Sequence, residues 1–331
     1  MAVTIDQVLR EAAARGIHYQ DGVRPTMLAS DSVPSMITTP NGGVPAAFTT
    51  YLDPQVVRIA LAPLKSEAIL PATQKGSWTK TDLLFPIVEA TGEATAYGDY
   101  DNNGIVNANV NWERRQAYVF QTHVKVGDME VERGAEMNFN VVGEKQQSGI
   151  MTLNRLRNKI NFYGVEGLEV RGILNDKDLP SPSTPAGGTK WSSKAPEDIV
   201  ADVLSLFADA QKRSEGTLEM DSPMVLAISP NLEPVLGRTN SYGLEIKAQL
   251  QKKFSKLRIE TAPEYATANG ELVQLIPDRV MGYEVGNTVF TERLRFHRTE
   301  IRTSSYAQKL SAGTAGAVIK YPYGIAQMLG V

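Results

Sequence analysis

Residues 79–126 read TKTDLLFPIVEATGEATAYGDYDNNGIVNANVNWERRQAYVFQTHVKV, and no other stretch constrains the fold as much. β-branched and aromatic residues crowd its two ends, while 90–108 is rich in Gly, Asp and Asn. That pattern predicts two strands, 79–89 and 109–126, joined as a long hairpin with a polar tip. The second strand alternates: Tyr118, Phe120, Thr122, Val124 and Val126 face one way, Gln121, His123 and Lys125 the other. A lone two-stranded ribbon is marginally stable at best in water. One this long, carrying apolar residues, needs a surface to lie on. Where its own subunit offers none, another subunit must, so the hairpin predicts assembly.

On the N-terminal side, Thr4 and Gln7 have capping-box spacing and Gly16 supplies a stop, which predicts a short helix with Ile5, Val8, Leu9 and Ala12 on one side. From 18 to 50 periodicity is lost among Pro25, Pro34, Pro40 and Pro45. A structureless stretch of this length is unusual inside a compact domain. Its apolar residues, including Met27, Leu28, Met36 and Ile37, favour an arm laid on a neighbour over a solvated tail. Asp53 and Pro54 open a second helix, which Pro63 should end or kink.

On the C-terminal side, 128–166 reads as helical. Ile150, Leu153, Leu156, Ile160 and Tyr163 recur at helical steps, with Arg155, Arg157, Asn158 and Lys159 between them. Gly143 and Gly149 are candidate bends. A polar loop with one large apolar anchor, Trp191, precedes an α/β segment. There Ile199, Val203, Leu206, Phe207 and Ala210 form a helix face, 224–228 is a buried-type strand, 244–254 is a basic helix, and 257–261 and 272–276 are strands. The end is β-rich: 293–307 alternates and carries Arg295, Arg298 and Arg302, Gly313 to Gly316 reads as a turn, and 317–319 as a last strand.

Composition excludes several functions. The 331 residues are 42% hydrophobic and 21% charged with a net charge of −3, which is globular and without the basic footprint of a dedicated nucleic-acid binder. With no cysteine there is no disulfide, thiol catalysis or thiolate metal site. The N-terminus lacks the apolar core of a signal peptide, and no apolar run nears the roughly 20 residues that span a bilayer. His18, His123 and His297 stand alone, and neither a Gly-x-Ser-x-Gly elbow, a Gly-x-Gly-x-x-Gly fingerprint nor a Walker loop occurs. The stretch from Ser311 to Gly316 lacks the Lys-Ser or Lys-Thr of a phosphate cradle. Asp99, Asp101, Asn103 and Gly104 match the start of a calcium loop, but Val110 stands where the bidentate Glu belongs, which favours a hairpin tip turning at Asn103 and Gly104. Lys247, Lys252, Lys253, Lys256 and Arg258 read as a solvated face, with Glu245 and Glu260 as partners, before they read as a phosphate site.

Arm, helix, projecting hairpin, long helix, α/β segment and β-rich return, in that order, resemble the tailed-bacteriophage major capsid proteins of the Hong Kong 97-type fold. Gly-Leu-Glu-Val-Arg-Gly-Ile-Leu-Asn at 167–175, followed by the Trp191 loop, is similar to the family's entry into its axial (A) domain. Ala-Gln-Lys-Leu from 307, Val-Ile-Lys-Tyr-Pro at 318–322, and Gly324 with Ile325 are similar to its closing peripheral (P) domain strands. The resemblance implies an α+β chain divided as N-terminal arm 1–50, P-domain helix 51–70, E-loop hairpin and flanking strands 71–126, P-domain spine helix 127–166, A domain 167–275 and return to the P domain 276–331.

It also implies a non-enzymatic shell subunit without cofactor or membrane partner. Such subunits form hexamers and pentamers of an icosahedral head assembled in the host cytoplasm, enclosing double-stranded DNA without reading its sequence. A portal, a cement or decoration protein and, since the arm is short, a separate scaffolding protein are its implied partners. Lys75 and Lys80 lie near the hairpin, but nothing marks either for the Lys–Asn cross-link some members form. Met27, Leu28, Met36, Ile37, Tyr118, Phe120 and Val124 are the expected inter-subunit contacts, and Phe120→Asp is expected to spare the subunit while impairing assembly. Two other readings stand beside this one: an encapsulin-type compartment of the same fold, and a soluble α/β enzyme with a calcium-dependent loop at Asp99.

Overall fold

The computed structural model describes residues 63–100 and 104–331. The expected helix at 4–16, the arm with Met27, Leu28, Met36 and Ile37, nearly all of the helix after Asp53, and Asp101 and Asn103 lie outside the described residues. In chain order the described elements begin α1 (Ser66–Ile69), β1 (Ala72–Gln74), β2 (Asp82–Gly92), β3 (Val106–Gln116), β4 (Tyr118–Gly127), α2 (Asp128–Glu136) and α3 (Val141–Tyr163). They continue with α4 (Pro196–Arg213), β5 (Met224–Ile228), α5 (Glu233–Leu236), α6 (Ile246–Lys253), β6 (Leu257–Thr261), β7 (Ala266–Thr267) and β8 (Gly270–Pro277). Last come β9 (Arg279–Val280), β10 (Tyr283–Glu284), β11 (Gly286–Arg302), β12 (Ser305–Ile319) and β13 (Ala326–Leu329). The chain is α+β, as expected.

These residues divide into two compact units. The larger takes in 61–123, 149–298 and 309–331; the smaller includes 124–148 and 299–308. The main core of the larger unit surrounds a sheet in the order β13-β8-β5-β6, with β7 paired to β8. Strand β5 (MVLAI) is buried at every position, as a short apolar run between Pro223 and Ser229 should be. Pro196 opens α4, acids Glu197 and Asp198 sit in its first turn, and Lys212 and Arg213 in its last, each placed to suit the helix dipole. The expected stripe from Ile199 to Ala210 is buried, and Phe207 packs against Phe254 with ring centroids 5.2 Å apart. Trp191 is fully buried, its Nε1 donating to Asp202 Oδ2 at 2.9 Å, and Lys194 Nζ donates to the same oxygen at 2.6 Å. A second sheet runs β1-β11-β12-β4, with β1 parallel to β11.

Four expectations are corrected. The stretch 109–126 is not one hairpin strand: β3 ends at Gln116, Ala117 N donates to Thr81 O at 2.8 Å to close the ribbon, and β4 leaves for the other sheet. The helical stretch 128–166 breaks at 137–140, where Asn138 takes a left-handed φ of 54° and Asn140 Oδ1 accepts from Gly143 N at 2.9 Å. Asparagine is among the few side-chain-bearing residues that tolerate that backbone, and such a cap starts a new helix; Gly143 and Gly149 lie inside α3.

The face of α3 also differs. Leu153 and Ile160 are buried but Leu156 and Tyr163 are exposed, while Arg157, Asn158 and Asn161 are buried with partners. Arg157 meets Glu67 at 3.0 Å and Arg293 O at 3.1 Å, Asn158 Oδ1 accepts from Ser66 N, and Asn161 Nδ2 donates to Ser66 Oγ. Finally, Gly313 to Gly316 make no turn; they lie buried within β12. Gly316 needs its left-handed φ of 74° and its bare Cα, since a Cβ there would sit 2.2 Å from Arg171 O.

Candidate assembly interface

Among the described residues the ribbon β2–β3 pairs with no other strand. Its register runs from Asp82 opposite Gln116 to Gly92 opposite Val106. Opposed residues of an antiparallel pair share a face, and successive pairs alternate. One face therefore collects Leu84, Pro86, Val88 and Ala90 of β2 with Trp112, Val110 and Ala108 of β3, beyond Arg114, which is paired to Asp82 at its root. The other carries Ile87 with Asn111, Glu89 with Asn109, and Thr91 with Asn107. The apolar face is open: Leu84, Val88 and Trp112 are 60, 62 and 59% exposed. A soluble monomer rarely leaves so contiguous an apolar surface uncovered.

At its base the ribbon is tied to its own unit through the second face. Leu83 is buried with Val289, Ala315 and Val318, with Phe85 packed beside them. Arg115, 1% exposed, reaches Glu113 Oε1 at 2.8 Å and Asp176 Oδ2 at 3.2 Å. Arg171 meets the other oxygen of Asp176 at 3.0 Å and is also bonded to Asp178.

Of the contact residues expected from sequence, Phe120 and Val124 are 5 and 8% exposed within the single chain, and Tyr118 is half-buried, its ring stacked on Phe120 at 6.0 Å. Buried in their own subunit, Phe120 and Val124 have no surface to offer a neighbour. The alternation seen in 118–126 was that of a core-facing strand. Leu84, Val88, Val110 and Trp112 are the residues that sequence reasoning missed. Their signal is a face-to-face register, visible only once the strands are bounded at 82–92 and 106–116.

The calcium reading gains no support. Asp99 is exposed in the turn after β2, and Val110, at the position of the missing ligand, is a paired strand residue opposite Val88. His123 is exposed on β4, while His297 meets Ser311 Oγ at 2.8 Å and sets its ring edge-on to Trp78. Lys75 lies over the Phe85 ring at 4.8 Å; burial and the nearby charge of Lys320 hold its ammonium below the ordinary lysine range. A cavity of about 170 Å³ near Leu70 and Asn287 gathers no reactive set, because Arg258 bonds Asp278, and Glu284 accepts from Asn287. The smaller unit has an open groove of about 600 Å³, lined chiefly by Met129, Met137, Phe139 and Val141. Beside it Lys145 Nζ joins Glu130 to Lys125 O, at 2.5 and 3.0 Å. No helix among the described residues is long and apolar enough to cross a membrane.

A family model described as Pa193 gp26 major capsid protein matches residues 35–330. Among solved structures, the capsid of Myoviridae Phage XM1 is similar at 12% identity with a TM-score of 0.71, over 87% of this chain and 99% of that one. The capsid of the Cyanophage P-SCSP1u gives 12% identity and a TM-score of 0.53 over 91% and 99%. A virus-like particle from Pyrococcus furiosus gives 16% and 0.52 over 79% and 90%. No curated protein matches the sequence. At these identities the structural likeness speaks for the fold, which is of the Hong Kong 97 type.

Proposed function

The chain belongs to the Pa193 gp26 major capsid protein family, a structural protein of the virion, and from that premise we propose that its β2–β3 ribbon is the element that joins one copy to the next. The observation that carries the reading is the sidedness of the ribbon beyond its base: exposed Pro86, Val88, Val110 and Trp112 make one face apolar, while Glu89, Thr91, Asn107, Asn109 and Asn111 beside Ile87 make the other mainly polar. Burying apolar area contributes about 25 cal/mol per Å². A modest contact repeated around every hexamer and pentamer adds up to a durable icosahedral shell. The arm residues Met27, Leu28, Met36 and Ile37 stay in the proposal as a second contact, on the strength of their apolar character in a proline-broken stretch.

The family resemblance supports the rest of the proposal. The shell is the head of a tailed phage, assembled in the host cytoplasm around double-stranded DNA that it does not read. A separate scaffolding protein, a portal and a cement protein are its partners. The divisions at residues 50, 70, 126, 166 and 275 mark arm, P-domain helix, E-loop, spine helix and A domain, before the chain returns to the P domain. The test is expression of the full chain followed by light scattering and negative-stain electron microscopy. Wild-type protein gives closed shells or regular capsomers. The double variant Val88→Asp, Trp112→Asp gives folded subunits and no shells; normal shells from it would sink the proposal.

A further inference from the structure

The base of the ribbon holds a group of charges that hydrophobic packing alone would not require. Arg115 is fully buried, its Nη2 shared between Glu113 and Asp176, and Asp176 is as deeply buried as its partner. Nε and Nη1 of Arg115 find no acceptor among the described residues. Arg171 closes the group from the other side through Asp176 and Asp178.

A buried ion pair is weak evidence of stability, since desolvating both charges offsets most of their attraction. What such a pair does supply is direction: its hydrogen bonds have fixed geometry, whereas apolar contacts tolerate sliding. The segment that carries Arg171 and Asp176 is itself firmly held. Arg171 O accepts from Ala317 N at 2.8 Å, Ile173 N donates to Asn161 O at 2.8 Å, and Leu174 N to Phe162 O at 3.0 Å. Arg115 and Glu113, by contrast, sit on β3 just where the ribbon leaves the core. From Leu84 outward the apolar face finds no cover. The ion group thus joins a fixed platform to the root of a free lever, and a small angular error at the root becomes a large displacement at the tip.

We propose that the Arg115–Asp176 pair, braced by Glu113 and Arg171, is a positioning device that sets the take-off direction of the ribbon in the free subunit without adding to subunit stability. Its importance for assembly rests on the docking role argued above; its effect on ribbon direction does not. Binding costs less when the bound geometry is already adopted, so a ribbon aimed in advance docks with less ordering to undergo.

Because the chain has no cysteine, spin labels can be placed cleanly at Glu89→Cys on the polar face of the ribbon and Lys212→Cys on α4. Distances between them are measured by electron–electron resonance in unassembled subunits, with melting and shell yield followed in parallel. In the apolar replacement Arg115→Met, Asp176→Leu, the distance distribution broadens roughly twofold while the melting midpoint holds or rises, as expected when a buried ion pair gives way to packed apolar groups. Shell yield falls in step. An unchanged distribution, or a melting midpoint that drops with it, overturns the proposal. A broadened distribution with normal shells leaves the positioning role standing and sinks the docking role instead. Should the double replacement fail to fold, Arg171→Gln removes the brace toward exposed Asp178, and the same broadening is required of it.

Discussion

The β2–β3 ribbon and the α/β segment around β5 use similar residues to opposite ends. In the segment, Leu226 and Ile228 share one buried cluster with the apolar stripe of α4, and every apolar residue of the strand has found cover inside the chain. In the ribbon, Leu84, Val88, Val110 and Trp112 are just as apolar and stay more than half exposed. The difference lies in what surrounds the strands. Strand β5 has partners on both edges, β8 and β6, and a helix stripe to pack on; among the described residues β2 and β3 have only each other. One region completes itself on folding, while the other keeps an apolar face for the proposed contact with a second copy. Hydrophobicity along a chain says that a residue will be covered, and topology decides by whom.

The same chemical change made in both regions tests that contrast most severely. Leu226→Asp puts a carboxylate into the centre of the core, and Phe120→Asp should join it. Each loses at least the roughly 3–5 kcal/mol of a large-to-small core truncation, with desolvation of the new charge in addition. Both are expected to yield insoluble or unfolded protein by circular dichroism and denaturant titration. A folded, soluble Phe120→Asp subunit that merely fails to assemble would return Phe120 to the interface and erase half of the comparison.

Val88→Asp with Trp112→Asp is the counterpart in the ribbon. Exposed positions away from packed features shift stability by no more than about 0.5 kcal/mol each. The denaturation midpoint of the subunit should therefore stay put while shells vanish from the micrographs. A clear loss of subunit stability would show the ribbon's apolar face to be covered by its own chain.

Much of this was legible in the sequence, and the limits are physical. The stripe on α4 and the uniform run of β5 were readable because each pattern meets one neighbour of one kind. The hairpin's existence was readable too, but not its faces, because which residues share a face depends on a register that no single strand encodes. Phe120 misled because alternation records one buried side without saying whose core buries it. On α3, Arg157, Asn158 and Asn161 look like solvent residues to any apolar count, yet each is buried against a specific polar partner. Gly313 to Gly316 look like a turn for want of side chains, when Gly316 is there to let Arg171 O approach.

The smallest expected effect concerns that same polar face of α3. Glu264 Oε1 accepts from Asn158 Nδ2 at 2.7 Å, while its Oε2 is buried and finds no donor among the described residues. Burial pushes its carboxyl above the ordinary carboxylate range, although the bond from Asn158 works against the rise. The folded state therefore favours the protonated acid more than the unfolded chain does. That contribution is fully present below the ordinary value of 4.5 and is lost as pH climbs through the raised one. Asp82, held down by its bond from Arg114, has the opposite sign and loses its contribution as pH falls. Glu264→Gln keeps an acceptor for Asn158 but has no proton to release. Denaturant midpoints taken from acid to neutral pH should thus show wild type losing ground relative to the variant as pH rises above the ordinary carboxylate value. If the gap between the two curves is flat, Glu264 is solvated well enough to ionise freely, and the polar seam along α3 is wetter than the packing of its neighbours allows.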